Sequence, residues 1–125
     1  MTRFIDANVI VKAFTQNVDK EKCRAALYDE FITNTLCVVE AQHAIWRITG
    51  NALLAANCVR SLFKGKGIIV PLDKNLLFEA LKGVGKYRLG LFDLIHYVSA
   101  LLHNCSEFIS YDKAFENLEI RRVEA

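Results

Sequence analysis

Two short apolar runs each close on an acid: Phe4-Ile5 leads into Asp6, and Phe108-Ile109-Ser110-Tyr111 leads into Asp112. Both read as strand exits. Between them the apolar pattern switches repeatedly to helical spacing, and strands that alternate with helices build a parallel sheet. In such a sheet ligand chemistry collects outside the carboxyl ends of the strands, so two acids at strand exits are candidates for one site. Two more carboxylates, Glu40 and Asp93, stand in apolar sequence where an unpaired acid is costly. The natural common partner of four such acids is a divalent cation.

The punctuation between the acids sets the expected elements. Phe4-Ile5 is the first strand, Ala7 to about Phe14 a helix, and Thr15-Gln16-Asn17 a polar break. Asp19 is a plausible N-cap for a helix from Lys20 to about Tyr28, and Glu30-Phe31-Ile32-Thr33 reads as a strand. Thr33, Asn34 and Thr35 are capping candidates for a helix that carries Glu40 and runs to about Ile48, where Gly50-Asn51 breaks it. Ala52 to Phe63 forms the next helix, stopped by Gly65-Lys66-Gly67, and Ile68-Ile69-Val70 is the clearest strand. Pro71-Leu72-Asp73 turns the chain into a helix from Lys74 to Val84, and a basic loop with Lys86 and Arg88 follows. A helix opened by Asp93 is apolar nearly all round, which requires burial against the sheet or a partner. Phe108-Ile109 is a strand, a short helix runs through Asn117, and Ile120-Arg121-Arg122-Val123 is a terminal edge strand. The expected architecture is α/β, a single domain over residues 1–125 with a central parallel sheet of about five short strands flanked by helices.

Bulk properties bound the remaining options. A chain of 125 residues, 53% hydrophobic, suits one core, and neither a repeat nor a Pro/Gly/Ser-rich linker divides it. Its apolar stretches break within about a dozen residues, short of the roughly 20 that a membrane span needs. The start lacks a secretory pattern, so the expectation is a cytoplasmic protein without membrane contact. Cys23, Cys37, Cys58 and Cys105 are scattered without close pairing and read as reduced core thiols. They and His43, His96 and His103 lack the spacing of a zinc finger or ribbon. A net charge of +2 neither establishes nor excludes a nucleic-acid partner.

Four segments together carry a family likeness: Phe4-Ile5-Asp6-Ala7-Asn8-Val9, Glu40 in Thr35-Leu36-Cys37-Val38-Val39-Glu40, Asp93-Leu94-Ile95-His96, and Ser110-Tyr111-Asp112-Lys113-Ala114-Phe115. They resemble the PIN-domain ribonucleases. In length and layout the chain is most similar to the small VapC-like toxins of prokaryotic toxin-antitoxin pairs, and the resemblance covers essentially its whole length. An Asp after a first strand is common to many folds; the specificity lies in four acids arriving in order. The resemblance implies a doubly wound sheet whose acids gather at one edge and bind Mg²⁺ or Mn²⁺ to hydrolyse RNA phosphodiester bonds. It implies metal contact for Asp6, Glu40, Asp93 and Asp112, with Asn8 and Ser110 orienting an acid, a water or a phosphate. A toxin of this kind implies a small antitoxin partner that covers the site, and a homodimer formed through apolar helix faces.

Elementary chemistry agrees with that implication. Mg²⁺ prefers oxygen ligands and keeps several waters, so a few carboxylates hold it and leave room for a phosphate. Without a cation, clustered carboxylates raise one another's pKa, a poor arrangement for mere architecture. Each acid also has a plainer account, Asp6, Asp93 and Asp112 as caps or turn residues and Glu40 as a surface glutamate. His96, one turn after Asp93, reads as a packed, hydrogen-bonded histidine outside the site. Lys12, Arg47, Lys86, Arg88 and Lys113 are candidates for phosphate contact, with solvated surface as the alternative. Trp46, Tyr87 and Tyr97 could stack on bases, against core or interface packing.

Other readings compete. Glu40-Ala41-Gln42-His43 and Asp93-Leu94-Ile95-His96 mimic the carboxylate-x-x-His spacing of di-iron bundles, which need four long helices and further glutamates. A receiver-like signalling domain has strand-end acids but expects adjacent ones after the first strand, and Asp6-Ala7-Asn8 departs from that. A catalytically inactive PIN-like module that binds RNA or protein stays open, with retention of all four acids arguing against it.

Overall fold

Residues 2–125 are described by a computed structural model in which a pair of helices follows each of the first three strands. The order is β1 (Arg3–Ile5), α1 (Ala7–Ala13), α2 (Lys20–Tyr28), β2 (Ile32–Asn34), α3 (Thr35–Thr49), α4 (Ala52–Arg60), β3 (Ile68–Val70), α5 (Lys74–Lys82), α6 (Leu91–Leu102), β4 (Glu107–Ile109) and β5 (Arg121–Val123). Single 3-10 turns at Ser61–Lys64 and Lys113–Phe115 follow α4 and β4. All five strands are parallel, in the order β3-β2-β1-β4-β5, with Phe4 opposite Ile32 on one side and Phe108 on the other. The expected α/β fold with five short strands is therefore the fold observed. The di-iron bundle reading falls with it, because the chain's centre is a sheet.

The topology positions the site. From β1 the chain winds outward through β2 to β3, then crosses back to place β4 and β5 on the other side of β1. The direction of winding reverses between β1 and β4, and the loops leaving those two strands splay to opposite faces, which opens a crevice at their carboxyl ends. Asp6 and Ser110 are the first residues past β1 and β4.

Central strands covered on both faces read as apolar runs where they are buried: Phe4, Ile5, Phe108 and Ile109 are all buried, while Arg3 and Glu107 begin the same strands half-exposed. Phe4 stacks on Phe108 with ring centroids 5.1 Å apart, and Phe108 meets Phe115 at 4.3 Å. Tyr97 is fully buried beside them, and its hydroxyl accepts a hydrogen bond from the Ile120 amide at 2.8 Å, so it is a core residue and not a base-stacking platform. In α6 every residue from Leu94 to Ala100 is buried, as its apolar circumference requires. Cys23, Cys37 and Cys105 are buried free thiols and Cys58 is half-buried. Among the described residues no helix is long and apolar enough to cross a membrane.

Several boundaries differ from expectation for local reasons. The helix carrying Asp93 starts two residues earlier, at Leu91, with Gly90 as its cap, so Asp93 lies in its first turn and caps nothing. The helix expected to reach Asn117 is only the 3-10 turn Lys113–Phe115: Glu116 is extended and Asn117 takes a left-handed φ of 61°. The strand expected over residues 30–33 is shifted to Ile32–Asn34 by its pairing with Ile68–Val70. α4 ends at Arg60 and α5 at Lys82, where Gly83 caps the helix and a bridge from Val84 to Tyr87 closes the loop.

Candidate active site

Asp6 is the N-cap of α1, its Oδ1 accepting from the Ala7 amide at 2.8 Å. Its Oδ2 accepts from Ser110 Oγ at 2.7 Å and from Asn8 Nδ2 at 3.1 Å. A carboxylate has about four acceptor positions, so three donors fix its plane and leave one lone pair directed elsewhere. Asp6 is both a cap and a site acid, and the two readings do not exclude each other. Ser110 is the hub: its one proton goes to Asp6, and its lone pairs accept from Asn8 Nδ2 at 3.1 Å and from the Asp112 amide at 3.0 Å. Asn8 Oδ1 in turn accepts from the Tyr111 amide at 3.2 Å, stitching α1 to the exit of β4. Asp112 caps the following 3-10 turn through Ala114 N at 2.9 Å.

Glu40 reaches the same crevice from α3 and Asp93 from α6. Asp6, Asn8, Lys12, Glu40, Asp93 and Asp112 line one open cleft of about 400 Å³. All four acids expected from the sequence are brought together there. Their mutual influence is visible in two of them. Burial pushes the Asp93 carboxyl above its ordinary range, the charges of Asp6 and Asp112 add to this, and His96 opposes it. Burial also raises Asp6, against the stabilising pull of His96, Ser110 and the Ala7 amide.

Behind Glu40 lies a group that the sequence reading left outside the site. His96 is buried, and its Nε2 meets Glu40 Oε1 at 2.6 Å. On the ring's far side Nδ1 lies 3.1 Å from Asn34 Nδ2 and 3.3 Å from Cys37 Sγ. Asn34 is the N-cap of α3, with Oδ1 accepting from the Cys37 amide at 2.7 Å, so its amide nitrogen faces the ring and also donates to Ser99 Oγ at 3.0 Å. An N–H pointed at Nδ1 suits a ring protonated on Nε2, which donates to Glu40. Against burial, Cys37, Glu40 and Asp6 draw the ring's pKa upward, but a charged ring would need a proton on Nδ1, where the Asn34 N–H already points, so the contacts hold the neutral ring protonated on Nε2. Burial pushes the Cys37 thiol up as well, so it is a neutral neighbour near pH 7 and the lasting causes are Glu40 and Asp6. The clue in the sequence was the i, i+3 spacing of Asp93 and His96, which sets both on one side of α6; the long-range Asn34 and Cys37 contacts left no such trace.

Asp6, Cys37 and His96 can bring one donor atom each within 4.8 Å of one another, the one group of this tightness among the described residues. Its sulfur and nitrogen donors suit a soft ion better than Mg²⁺, and Nδ1 already faces an N–H. Cys37 and His96 are buried behind the cleft, and of the three only Asp6 lines it. The four acids of the cleft are set wider than this group, as suits a hard cation that keeps part of its water shell. Among the described residues no lysine or arginine pairs with any of the four. An unneutralised set of oxygen donors of this kind fits Mg²⁺ or Mn²⁺.

The cationic and aromatic candidates divide. Lys12 lines the cleft but its Nζ is held by Asp19 at 3.1 Å and sits over the Tyr111 ring. Lys113 adjoins Asp112 and is exposed; Arg47 is exposed near the end of α3; Lys86 lies over the Tyr87 ring. Tyr87 binds Glu119 through its hydroxyl at 2.5 Å. Trp46 packs edge-on against His43, with ring centroids 6.0 Å apart. A separate, mostly apolar cavity between α2 and the Ser61–Lys64 turn carries no acid and no histidine.

The PIN-domain family profile matches residues 3–120. Among solved structures the chain is similar to VapC20 of Mycobacterium tuberculosis, a sarcin-ricin loop cleaving toxin, with a TM-score of 0.80, 11% identity and 98% of each chain covered. VapBC2 of Rickettsia felis, bound to a fragment of promoter DNA, gives a TM-score of 0.73 at 12% identity, covering 100% of this chain and 99% of that one. FitAcB of Neisseria gonorrhoeae gives 0.67 at 16% identity, covering 99% and 97%. No curated protein matches the sequence.

Proposed function

The chain belongs to the PIN-domain family, and on that premise we propose that it is a divalent-metal-dependent ribonuclease, the toxin of a toxin-antitoxin pair. The observation that carries the reading is the meeting of Asp6, Glu40, Asp93 and Asp112 in one cleft at the switch point of the sheet, with no lysine or arginine paired to them among the described residues. These four acids would hold Mg²⁺ or Mn²⁺, with Asn8 and Ser110 keeping Asp6 and Asp112 in place. When bound, the cation supplies charge neutralisation for the phosphodiester and a more acidic water. Ser110 fixes the plane of Asp6 so that its remaining lone pair faces the cleft. Asp93, in the first turn of α6, is an anion where the helix dipole favours one. Lys12, at the rim, can leave Asp19 to meet an RNA phosphate.

A similar structure from Klebsiella pneumoniae is described as a toxin-antitoxin complex, which supports an antitoxin partner here. Phe78 and Leu81 on α5, Val84 beyond it and Phe92 on α6 are exposed apolar residues suited to a homodimer contact. A toxin of this kind would act on RNA in the cytoplasm. The test is cleavage of a labelled RNA pool with Mn²⁺, Mg²⁺ or EDTA, alongside D6N and D93N. Cutting that needs metal and vanishes in both variants supports the reading; cutting that survives in both assigns it to another nuclease.

A further inference from the structure

We infer that His96 is a positioning residue, held from behind by Asn34 and Ser99, which fixes the Glu40 carboxylate in the cleft and thereby sets the site's affinity for a divalent cation it never touches. The inference rests on the metal-site reading above and adds to it a supporting layer buried in the protein.

The chain of contacts runs through three elements. Ser99 and His96 lie one turn apart on α6, Asn34 ends β2, and Glu40 is on α3. Ser99 and Asn34 are fully buried and His96 is 1% exposed, whereas 29% of the Glu40 side chain is in solvent. A glutamate in that position has three rotatable bonds and water on one side, so nothing on α3 itself would keep its carboxylate over the cleft. The 2.6 Å contact to His96 Nε2 does so by taking Oε1 and leaving Oε2 for the cleft.

The ring cannot turn to release it. Flipping the imidazole would aim a carbon at Asn34 Nδ2 and another at Glu40, orphaning two buried donors or acceptors. Asn34 cannot turn either, because its Oδ1 is engaged by the Cys37 amide at 2.7 Å and its Nδ2 by Ser99 Oγ at 3.0 Å. Ser99 Oγ completes the set by donating to the Ile95 carbonyl at 2.8 Å. The cap of α3 therefore sets the tautomer of His96, and the tautomer sets the direction of the N–H that holds Glu40. Outer groups of this kind commonly change metal affinity or activity by about 10–100-fold when removed.

The experiment is calorimetric titration of Mn²⁺ into the full chain, using wild type, H96Q and H96N. The amide nitrogen of glutamine reproduces Nε2 and can still donate to Glu40. The shorter asparagine occupies the Nδ1 side and cannot reach. The expected result is Mn²⁺ binding by H96Q within about threefold of wild type and a loss of about 10-fold or more in H96N, the lower end of the range for such outer groups. Equal affinity in all three would overturn the inference while leaving the metal site standing. Equal weakening of the two variants, or failure of either to fold, would assign the ring to packing and overturn it too. A wild type that takes up no Mn²⁺ would instead remove the metal site itself and this inference with it.

Discussion

Replacing Ser110 with alanine removes one oxygen and disconnects three site residues. The hydroxyl is fully buried, donates to Asp6 Oδ2 at 2.7 Å, and accepts from Asn8 Nδ2 and the Asp112 amide at 3.1 and 3.0 Å. A hydrogen bond to a charged group is worth about 2 kcal/mol and a neutral one about 1 kcal/mol, which sums to about 4 kcal/mol. Asn8 is half-buried and can recruit water, which brings the expected loss to about 3 kcal/mol. For a domain of this size that corresponds to a fall in melting temperature of about 12 °C, at roughly 4 °C per kcal/mol. The loss depends on pH with a definite sign. Ser110 favours the ionised form of Asp6, so its removal raises the folded-state pKa of Asp6 further and makes the variant lose more stability as pH rises. The gap between wild type and S110A should therefore be wide at about pH 7 and narrow once the pH falls below the ordinary carboxyl value of 3.8 and Asp6 is protonated in both. Thermal and urea melts at both pH values measure it. A variant that melts with the wild type at neutral pH would refute the hub role of this hydroxyl.

Asp93→Asn should make the metal-free protein melt higher near neutral pH. Burial and the charges of Asp6 and Asp112 raise the folded-state pKa of Asp93 above 3.8, so stability drains as pH rises through that window and the substitution abolishes the drain; an advantage that persists unchanged below it would point to packing instead. Mn²⁺ at about 100 times its Kd should stabilise the wild type by about 2.7 kcal/mol, reversibly with EDTA, and a flat melting temperature would count against a cation site. Gly67→Ala tests the fold alone: a Cβ there would fall 2.2 Å from the buried Phe31 ring, and overpacking of this kind costs about 1–3 kcal/mol in a urea melt. An unchanged midpoint would mean that the ring moves aside freely.

The strand exits were legible because an acid after apolar residues is a local signal: Asp6 directly follows β1, while Asp112 lies three residues past β4, where Ser110 takes the exit. Ile68-Ile69-Val70 needed only its glycine and proline borders. Residues whose roles are set by partners far along the chain were harder to read. Asn34 is recognisable as a cap from its position before α3, but its second role depends on Ser99 and His96, more than 60 residues away. His96 is packed and hydrogen-bonded, as its place in an apolar helix suggests, but its partner is a site acid on another helix, which spacing within α6 cannot reveal. Asp93 misled in the opposite sense, since an aspartate before an apolar run suggests a cap and Gly90 takes that place. The short turn after Asp112 shows a local limit as well: the helix expected through Asn117 stops at Phe115, because Glu116 is already extended and Asn117 is left-handed.

The central claim is that the four carboxylates around the cleft hold a divalent cation. Its most direct test is a crystal soaked in Mn²⁺ and read by anomalous scattering. The account predicts a peak within coordination distance of oxygens from Asp6, Glu40, Asp93 or Asp112, displaced in D93N crystals. A peak beside Cys37 Sγ and His96 Nδ1, or none in the cleft while the protein remains folded, would contradict it.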